Sequence, residues 1–514
     1  MCGFIVSKGN KCNIDKFSKC LKNAKYRGPD NSDIYSHNNV IIGHNRLKII
    51  DLSNNSNQPM LSSCGVYVIA YNGEIYNASE LAKKYKLNLI TSSDTEILLQ
   101  LYILRGSKVL AELNGMFSFV IYNNISEELF AARDRLGVKP LYFFSLSGQI
   151  YFSSDIRSIV ELADSNEIDE IGLRQYKKLR TFFNNHTLYK NIISFPSGCY
   201  YENGRIYKYW DCDFSRKEQP KDEHLFELIY DAIKLRMVSD VPVGSYLSGG
   251  LDSSIISAVS EVKNTWSIGF SNMNEFSYAD TVANRIGSNH TNILISNKEF
   301  LEIAEKMVKD RMEPLSVPNE VLIYRMSQIA SNENRVLLSG EGADELFSGY
   351  DRIFNKFSNL NSFDLDLFDR MYSYGSHKDD DILHYAIEPY LKYKEPYLIL
   401  SSFFQISHLQ GLLRRLDFSS MLASVEARSP FVDYRLVELM AGVDFSYKNY
   451  NTENKAPLKR FANNILEEST IFRKKVGFPV PLDQIFLSEN GYNDWLSFNL
   501  NILKGLDNFR GIIS

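Results

Sequence analysis

Two stretches of the chain carry residue types whose spacing could do chemistry. The chain begins Met1-Cys2-Gly3. A small second residue permits loss of the initiator Met, which leaves Cys2 with a free α-amine. That amine titrates near pH ~8, so a usable fraction is unprotonated at neutral pH and can take the proton of its own thiol. The second stretch is Ser248-Gly249-Gly250-Leu251-Asp252-Ser253-Ser254, preceded by an apolar run at 243–247 and followed by helical periodicity at 252–262. A strand, a Ser-Gly-Gly turn and a helix start form a cradle for anions, because the helix-start N–H groups point at phosphate. Asp252 cannot bind phosphate directly and needs a bridging Mg²⁺. The GxxxxGK[ST] spacing of a Walker A loop is absent.

Each stretch has companions. Downstream of Cys2 come Arg27-Gly28-Pro29-Asp30, Asn45-Arg46-Leu47, Asn72-Gly73-Glu74-Ile75-Tyr76-Asn77 and Ser93-Asp94-Thr95-Glu96. Taken singly, Arg46 reads as a surface ion-pair residue and Asn72-Gly73 as a hairpin turn. Asp94 alone reads as the N-cap of a helix over 94–104. The ordered set is what points to chemistry. Beyond the Ser-Gly-Gly turn lies Leu338-Ser339-Gly340-Glu341-Gly342-Ala343-Asp344-Glu345, again after an apolar run. Alone it would be a solvated acidic turn, and the EF-hand pattern is not met.

With these motifs in this order, the chain resembles the class II (N-terminal-nucleophile) glutamine amidotransferases, and specifically the asparagine synthetase B family. The resemblance runs from Cys2 to about residue 482 and includes Ser424-Val425-Glu426-Ala427-Arg428-Ser429-Pro430-Phe431 and Phe472-Arg473-Lys474-Lys475. It implies that Cys2 attacks the glutamine amide and releases ammonia. Asn72 and Gly73 would form the oxyanion hole, since a tetrahedral oxyanion needs convergent neutral donors. Arg46 would hold the glutamine α-carboxylate, Glu74 and Asp94 its α-ammonium, and the backbone of Leu47, Lys48, Ile49 and Ile50 would line the pocket. The second half would bind ATP through Leu247, Ser248, Gly249, Gly250, Asp252, Ser253, Ile268, Ser339, Gly340 and Lys475. Asp252 and Asp344 would hold Mg²⁺, and Glu341 would handle the proton lost when ammonia attacks an acyl-adenylate. The implied substrates are glutamine, ATP and aspartate, and the resemblance is compatible with a homodimer.

The pattern departs at one place. Met312 precedes Glu313-Pro314 where the family often has Asp, and Leu315-Ser316-Val317-Pro318-Asn319 is also unusual for it. Related enzymes amidate a sugar carboxylate, so a uronic acid is the alternative acceptor. Others close β-lactams but usually lack the nucleophile that this chain keeps at Cys2. A non-catalytic glutamine- or nucleotide-sensing module is the reading from a different class.

The elements that must position these residues fall into two groups. Apolar runs at 40–50, 66–71, 116–122, 141–144 and 149–152, separated by turn residues, predict an antiparallel α+β region with helices at 79–85 and 94–104. Glu202-Asn203-Gly204-Arg205 predicts a tight hairpin, since Asn-Gly accepts positive φ at both turn positions. From about residue 222, helical segments at 225–238, 252–262, 278–286 and 319–330 alternate with short apolar runs at 243–247, 265–270, 292–295 and 335–339. That alternation predicts an α/β parallel sheet of the ATP pyrophosphatase type, and beyond 350 the chain reads mainly helical. The expected domains are an N-terminal-nucleophile glutaminase over 1–210, a polar linker at 211–222 and a synthetase over 223–514.

Composition narrows the alternatives. The chain has 514 residues, enough for two or three domains. Basic residues number 57 against 62 acidic, a net of −5, which argues against nucleic acid or an anionic membrane as the main partner. Six cysteines without a CxxC pair make neither a zinc ribbon nor a disulfide scaffold. Cys12, Cys20, Cys64, Cys199 and Cys212 lack chemical neighbours and read as packing residues. No signal-peptide pattern or bilayer-length apolar run is present, so a cytoplasmic enzyme is expected.

Overall fold

Side-chain alternation along the strand Gly3–Lys8 sets the plan of the first half. Phe4 and Val6 face one way, into a core shared with Val40, Ile42, Val68, Ala70, Val120 and Phe152. Ile5 faces the other way, onto Phe17, Cys20 and Leu21 of the helix Ile14–Asn23. The computed structural model describes residues 2–9, 13–374, 378–451, 453–474 and 477–506. In it two six-stranded antiparallel sheets face each other across that first core. One runs Ile192–Ser194, Tyr142–Leu146, Gln149–Ser153, Gly3–Lys8, Val40–Arg46, Asn31–His37. The other runs Arg205–Lys208, Cys199–Glu202, Leu129–Arg133, Gly115–Asn123, Tyr67–Ile75, Met60–Leu61. Helices Ala78–Tyr85 and Asp94–Arg105 cover the outer face of the second sheet, burying Leu81, Ile97, Leu98 and Leu101. The expected hairpin forms: Glu202 pairs with Arg205, with Asn203 at φ 50° and Gly204 at φ 77°.

The second half builds a five-stranded parallel sheet in the order Asn289–Leu294, Asn264–Gly269, Val243–Tyr246, Val336–Leu338, Glu426–Arg428. Connections run outward in opposite directions from the central pair, Val243–Tyr246 and Val336–Leu338. The crevice beyond the carboxyl ends of those two strands is therefore the topological switch point, where open parallel sheets bind ligands. Both glycine-rich motifs leave the sheet there.

Three features go beyond the sequence reading. Glu426–Arg428 is a strand inside a region that reads as helical. The helix Glu170–Leu179 leads into Phe183, and both pack on Ile353, Phe354 and Phe403 of the helical second half. The polar stretch at 211–222 is anchored, with Cys212 and Phe214 buried and the Lys217 N–H bonded to the Gly442 carbonyl at 2.9 Å. Among the described residues no helix is long and apolar enough to cross a membrane.

Candidate active sites

Cys2 precedes the central strand of the first sheet and is 8% exposed. Its backbone N–H donates to Asn72 Oδ1 at 3.1 Å. Asn72 and Gly73 are not a turn; they lie within the strand Tyr67–Ile75, opposite Ser118 and Phe117. The Asn72 amide nitrogen is buried and has no hydrogen-bond partner among the described residues. One end of the amide thus holds the head of the chain while the other is left to donate, which suits an oxyanion. Gly73 is required by crowding: a Cβ there would stand 2.2 Å from the Met116 carbonyl oxygen. Burial pushes the Cys2 thiol above its usual range, and a backbone contact from Leu47 partly offsets this.

Arg46 is buried rather than a surface residue. Its guanidinium donates to the Ser53 carbonyl at 2.7 Å, to Asn57 Oδ1 at 2.9 Å and to the Ile50 carbonyl at 3.3 Å. These bonds stiffen the loop that follows the strand. Leu47 and Ile49 are buried in a core with Val336 and Met421 of the second half. Lys48 reaches Asn54 Oδ1 at 2.9 Å. Asp94 is not the helix cap; Ser93 is, its hydroxyl accepting the Thr95 N–H at 3.2 Å. The Asp94 carboxylate instead accepts from the Tyr71 hydroxyl at 2.6 Å and the Ile75 N–H at 3.1 Å. Glu74, two residues after Asn72 and on the same strand face, accepts from Arg428 at 3.2 Å.

The crevice at the parallel sheet holds a cavity of about 500 Å³. Leu247, Ser248, Gly250, Asp252, Ser253, Ile268, Ser339, Gly340, Glu341 and Asp344 line it. Gly249 does not; it makes the turn, at φ 70°, where a Cβ would stand 2.5 Å from the Tyr278 carbonyl carbon. Lys475 lies outside the described residues. Sequence reasoning overlooked Lys455, whose ammonium lies 2.6 Å from Asp252 and 2.7 Å from Asp344. Two convergent carboxylates on one cavity wall are the donor set Mg²⁺ takes when phosphates and water complete its shell, so the residues fit the ion. Arg473, named in a sequence motif but given no role there, bonds Glu275 and lies 3.7 Å over the Tyr278 ring at the cavity edge.

The other end of the cavity is different in character. Arg415 holds Glu341 at 2.8 Å and Asn319 Oδ1 at 3.3 Å. Beyond this pair stand Tyr350, Tyr372, Tyr374, His408 and Thr181. A π-helical turn, Phe404–His408, puts His408 there, bonded to the Tyr372 hydroxyl at 2.8 Å. Burial, reinforced by the Arg415 charge, drives the His408 imidazole down to about 3, so it is neutral. The Thr181 hydroxyl is buried without a partner among the described residues. Met312 is not part of this wall. It caps the helix Asn297–Arg311 at φ 58°, buried in the core, while Ser316, Val317 and Asn319 line the cavity.

Comparison with known proteins adds to this geometry. A glutamine amidotransferase domain family matches residues 1–210, and the asparagine synthase family matches residues 224–502. Asparagine synthetase [glutamine-hydrolyzing] 1 of Bacillus subtilis is 31% identical, covering 92% of this chain and 84% of the relative. A putative asparagine synthetase [glutamine-hydrolyzing] 2 of Methanocaldococcus jannaschii is 33% identical over 68% of this chain and 76% of its own length. Asparagine synthetase B of Escherichia coli is 31% identical over 63% of this chain and 60% of its own length.

Proposed function

Because the chain belongs to the glutamine-hydrolysing asparagine synthetase family of ATP-dependent ligases, we propose that it converts aspartate to asparagine with glutamine as nitrogen donor. The observation that carries this reading is the pairing within one chain of a thiol–amide site at Cys2 and Asn72 with a switch-point cavity walled by Asp252, Glu341 and Asp344. In the first site the α-amine of processed Cys2 takes the thiol proton as sulfur attacks the glutamine side-chain amide. The Asn72 amide and the Gly73 N–H stabilise the oxyanion, the proton passes to the leaving nitrogen, and water then frees glutamate from the thioester. Arg46 receives the α-carboxylate, Glu74 and Asp94 the α-ammonium, and the backbone of residues 47–50 borders the substrate.

In the second site the β-carboxylate of aspartate displaces pyrophosphate from the α-phosphorus of ATP, giving an acyl-adenylate. Ser248, Gly250 and Ser253 cradle the phosphates, while Leu247, Ile268, Ser339 and Gly340 border the nucleoside. Asp252 and Asp344 would hold Mg²⁺, which when bound would supply positive charge to the phosphates. Glu341, fixed by Arg415, takes the proton that ammonia loses as it attacks the acyl carbon, and AMP leaves. Glu341→Gln tests this: amide formation falls with glutamine hydrolysis retained, whereas equal loss of both refutes the assignment. We place the enzyme in the cytoplasm.

One observation favours a second reading. A wall of Tyr350, Tyr372, Tyr374 and the neutral His408 suits a larger hydroxylated acceptor better than a small zwitterion. Pyrophosphate release with glutamine, Mg-ATP and either aspartate or uronic acids separates the two. Release with aspartate alone sustains the first reading, and release with uronates alone replaces it.

A further inference from the structure

The glutamine pocket is not built by the first half alone. Glu74 is 3% exposed, and the cation bonded to its carboxylate belongs to the other half of the chain: Arg428 Nη2 at 3.2 Å. Arg428 is fully buried and fixed at every nitrogen. Nε donates to Glu426 at 2.5 Å, and Nη1 donates to the Arg236 and Val238 carbonyls at 2.8 and 2.6 Å. Its own carbonyl accepts the Ser339 N–H at 2.8 Å, so the same residue anchors the loop that borders the nucleotide cavity. A guanidinium held this rigidly presents its remaining edge in one direction, toward Glu74.

Resting on the reading of Glu74 as the partner of the glutamine α-ammonium, we propose that Arg428 is a positioning residue of the glutamine pocket, fixing the Glu74 carboxylate to receive that ammonium. Asn72 and Glu74 share one strand face, so a carboxylate fixed by Arg428 faces the same side as the amide that holds Cys2. Among the described residues the charged groups facing Glu74 are Asp94 from the helix Asp94–Arg105 and Arg428 and Glu426 from the strand Glu426–Arg428. Burial, then Asp94, pushes Glu74 well above the usual carboxylate range; Arg428 pulls it back and Glu426 adds to the rise. Removing the guanidinium takes away a contribution that lowers Glu74, so its carboxyl keeps the proton to higher pH and pairs with an ammonium only above that range. Raising the pH removes that proton and restores the partner, so the defect is one that alkali repairs.

The test measures glutamine binding by calorimetry in a Cys2→Ala background at about pH 6, 7 and 8, with and without Arg428→Gln. The expected result is a Kd raised at least tenfold by R428Q at about pH 7 and recovering toward the parent as pH rises, with Arg428→Lys close to the parent throughout. A loss of the same size at every pH overturns the proposal. Where R428Q does not accumulate as folded protein, it is combined with Glu74→Gln, which neutralises the stranded carboxylate: the double variant weakens binding no more than E74Q alone, and a further loss beyond that of E74Q overturns the proposal. Failure of the C2A parent itself to bind glutamine refutes the underlying reading of the pocket, which is a different outcome.

Discussion

Asp252 and Asp344, far apart in sequence, meet at a single ammonium, that of Lys455, at 2.6 and 2.7 Å. Two carboxylates brought this close repel unless a cation stands between them. Lys455 therefore maintains the close approach of the two carboxylates.

Lys455→Met leaves two carboxylates facing each other without their cation. Pyrophosphate release falls by about 10²-fold or more, with glutamine and ammonia alike, because a preorganised charge at the phosphates is gone. Asp252→Asn gives a loss of the same kind, and raised Mg²⁺ partly restores it. Pyrophosphate assays across a Mg²⁺ series check this, and normal release in D252N would show that the cradle has been misread.

Cys2→Ala abolishes glutamine-driven synthesis and spares the ammonia-driven reaction. Asn72→Ala keeps the nucleophile but removes the amide donor, lowering kcat for glutamine hydrolysis about 10²–10³-fold. Glutamate release and ammonia-dependent AMP formation, measured side by side, read both. Undiminished glutamine-driven turnover in C2A is the result that sinks the assignment.

The buried thiol sets a pH dependence. Its pKa lies above the usual value because burial disfavours the thiolate, and the thiolate is the form that alkylates. The thiolate fraction therefore climbs about tenfold per pH unit and does not level off below the raised pKa. Alkylation of Cys2 by iodoacetamide, followed by mass spectrometry from about pH 7 to about pH 9, should rise without a plateau. A plateau near neutrality would mean that the thiol is activated in the resting enzyme.

Arg27 and Lys139 from the first half both face Asp417 in the second, at 2.9 and 3.5 Å, with all three side chains buried. Asp417→Ala strands two buried cations at the junction. The expected cost is about 3–5 kcal/mol, since breaking a buried pair leaves uncompensated charge. A thermal midpoint lowered by several degrees in D417A, measured by calorimetry, checks this; an unchanged midpoint would show that water enters and solvates the site.

Much of the fold was legible because the two periodicities are strong. The hairpin at Asn203-Gly204 and the alternation beyond residue 222 follow from local chemistry. The strand Glu426–Arg428 was not legible, because it is a buried three-residue edge strand that carries two charges, made tolerable by the ion pairs with each other and with Glu74. Asn72 and Gly73 were found through their neighbours, but their seat inside a strand depends on the register with Phe117 and Ser118. Lys455 left no signal: it ends a polar run, and only the tertiary fold carries it to Asp252. Met312 drew suspicion as a departure from the family pattern, yet it serves as a helix cap in the core.

The seating of Leu47 and Ile49 on Val336 and Met421 bears on how such chains can be recombined. The boundary near residue 210 looks like the natural place to splice two relatives, since each half there has its own sheets. A chimera joined at that point would nonetheless set residues 47–50 of one parent on the sheet of another, with mismatched knobs and hollows at the seam. Grafts that carry residues 47–50 together with their seat at Val336 and Met421 keep the two halves in step, so the practical unit of exchange crosses the boundary drawn by sequence.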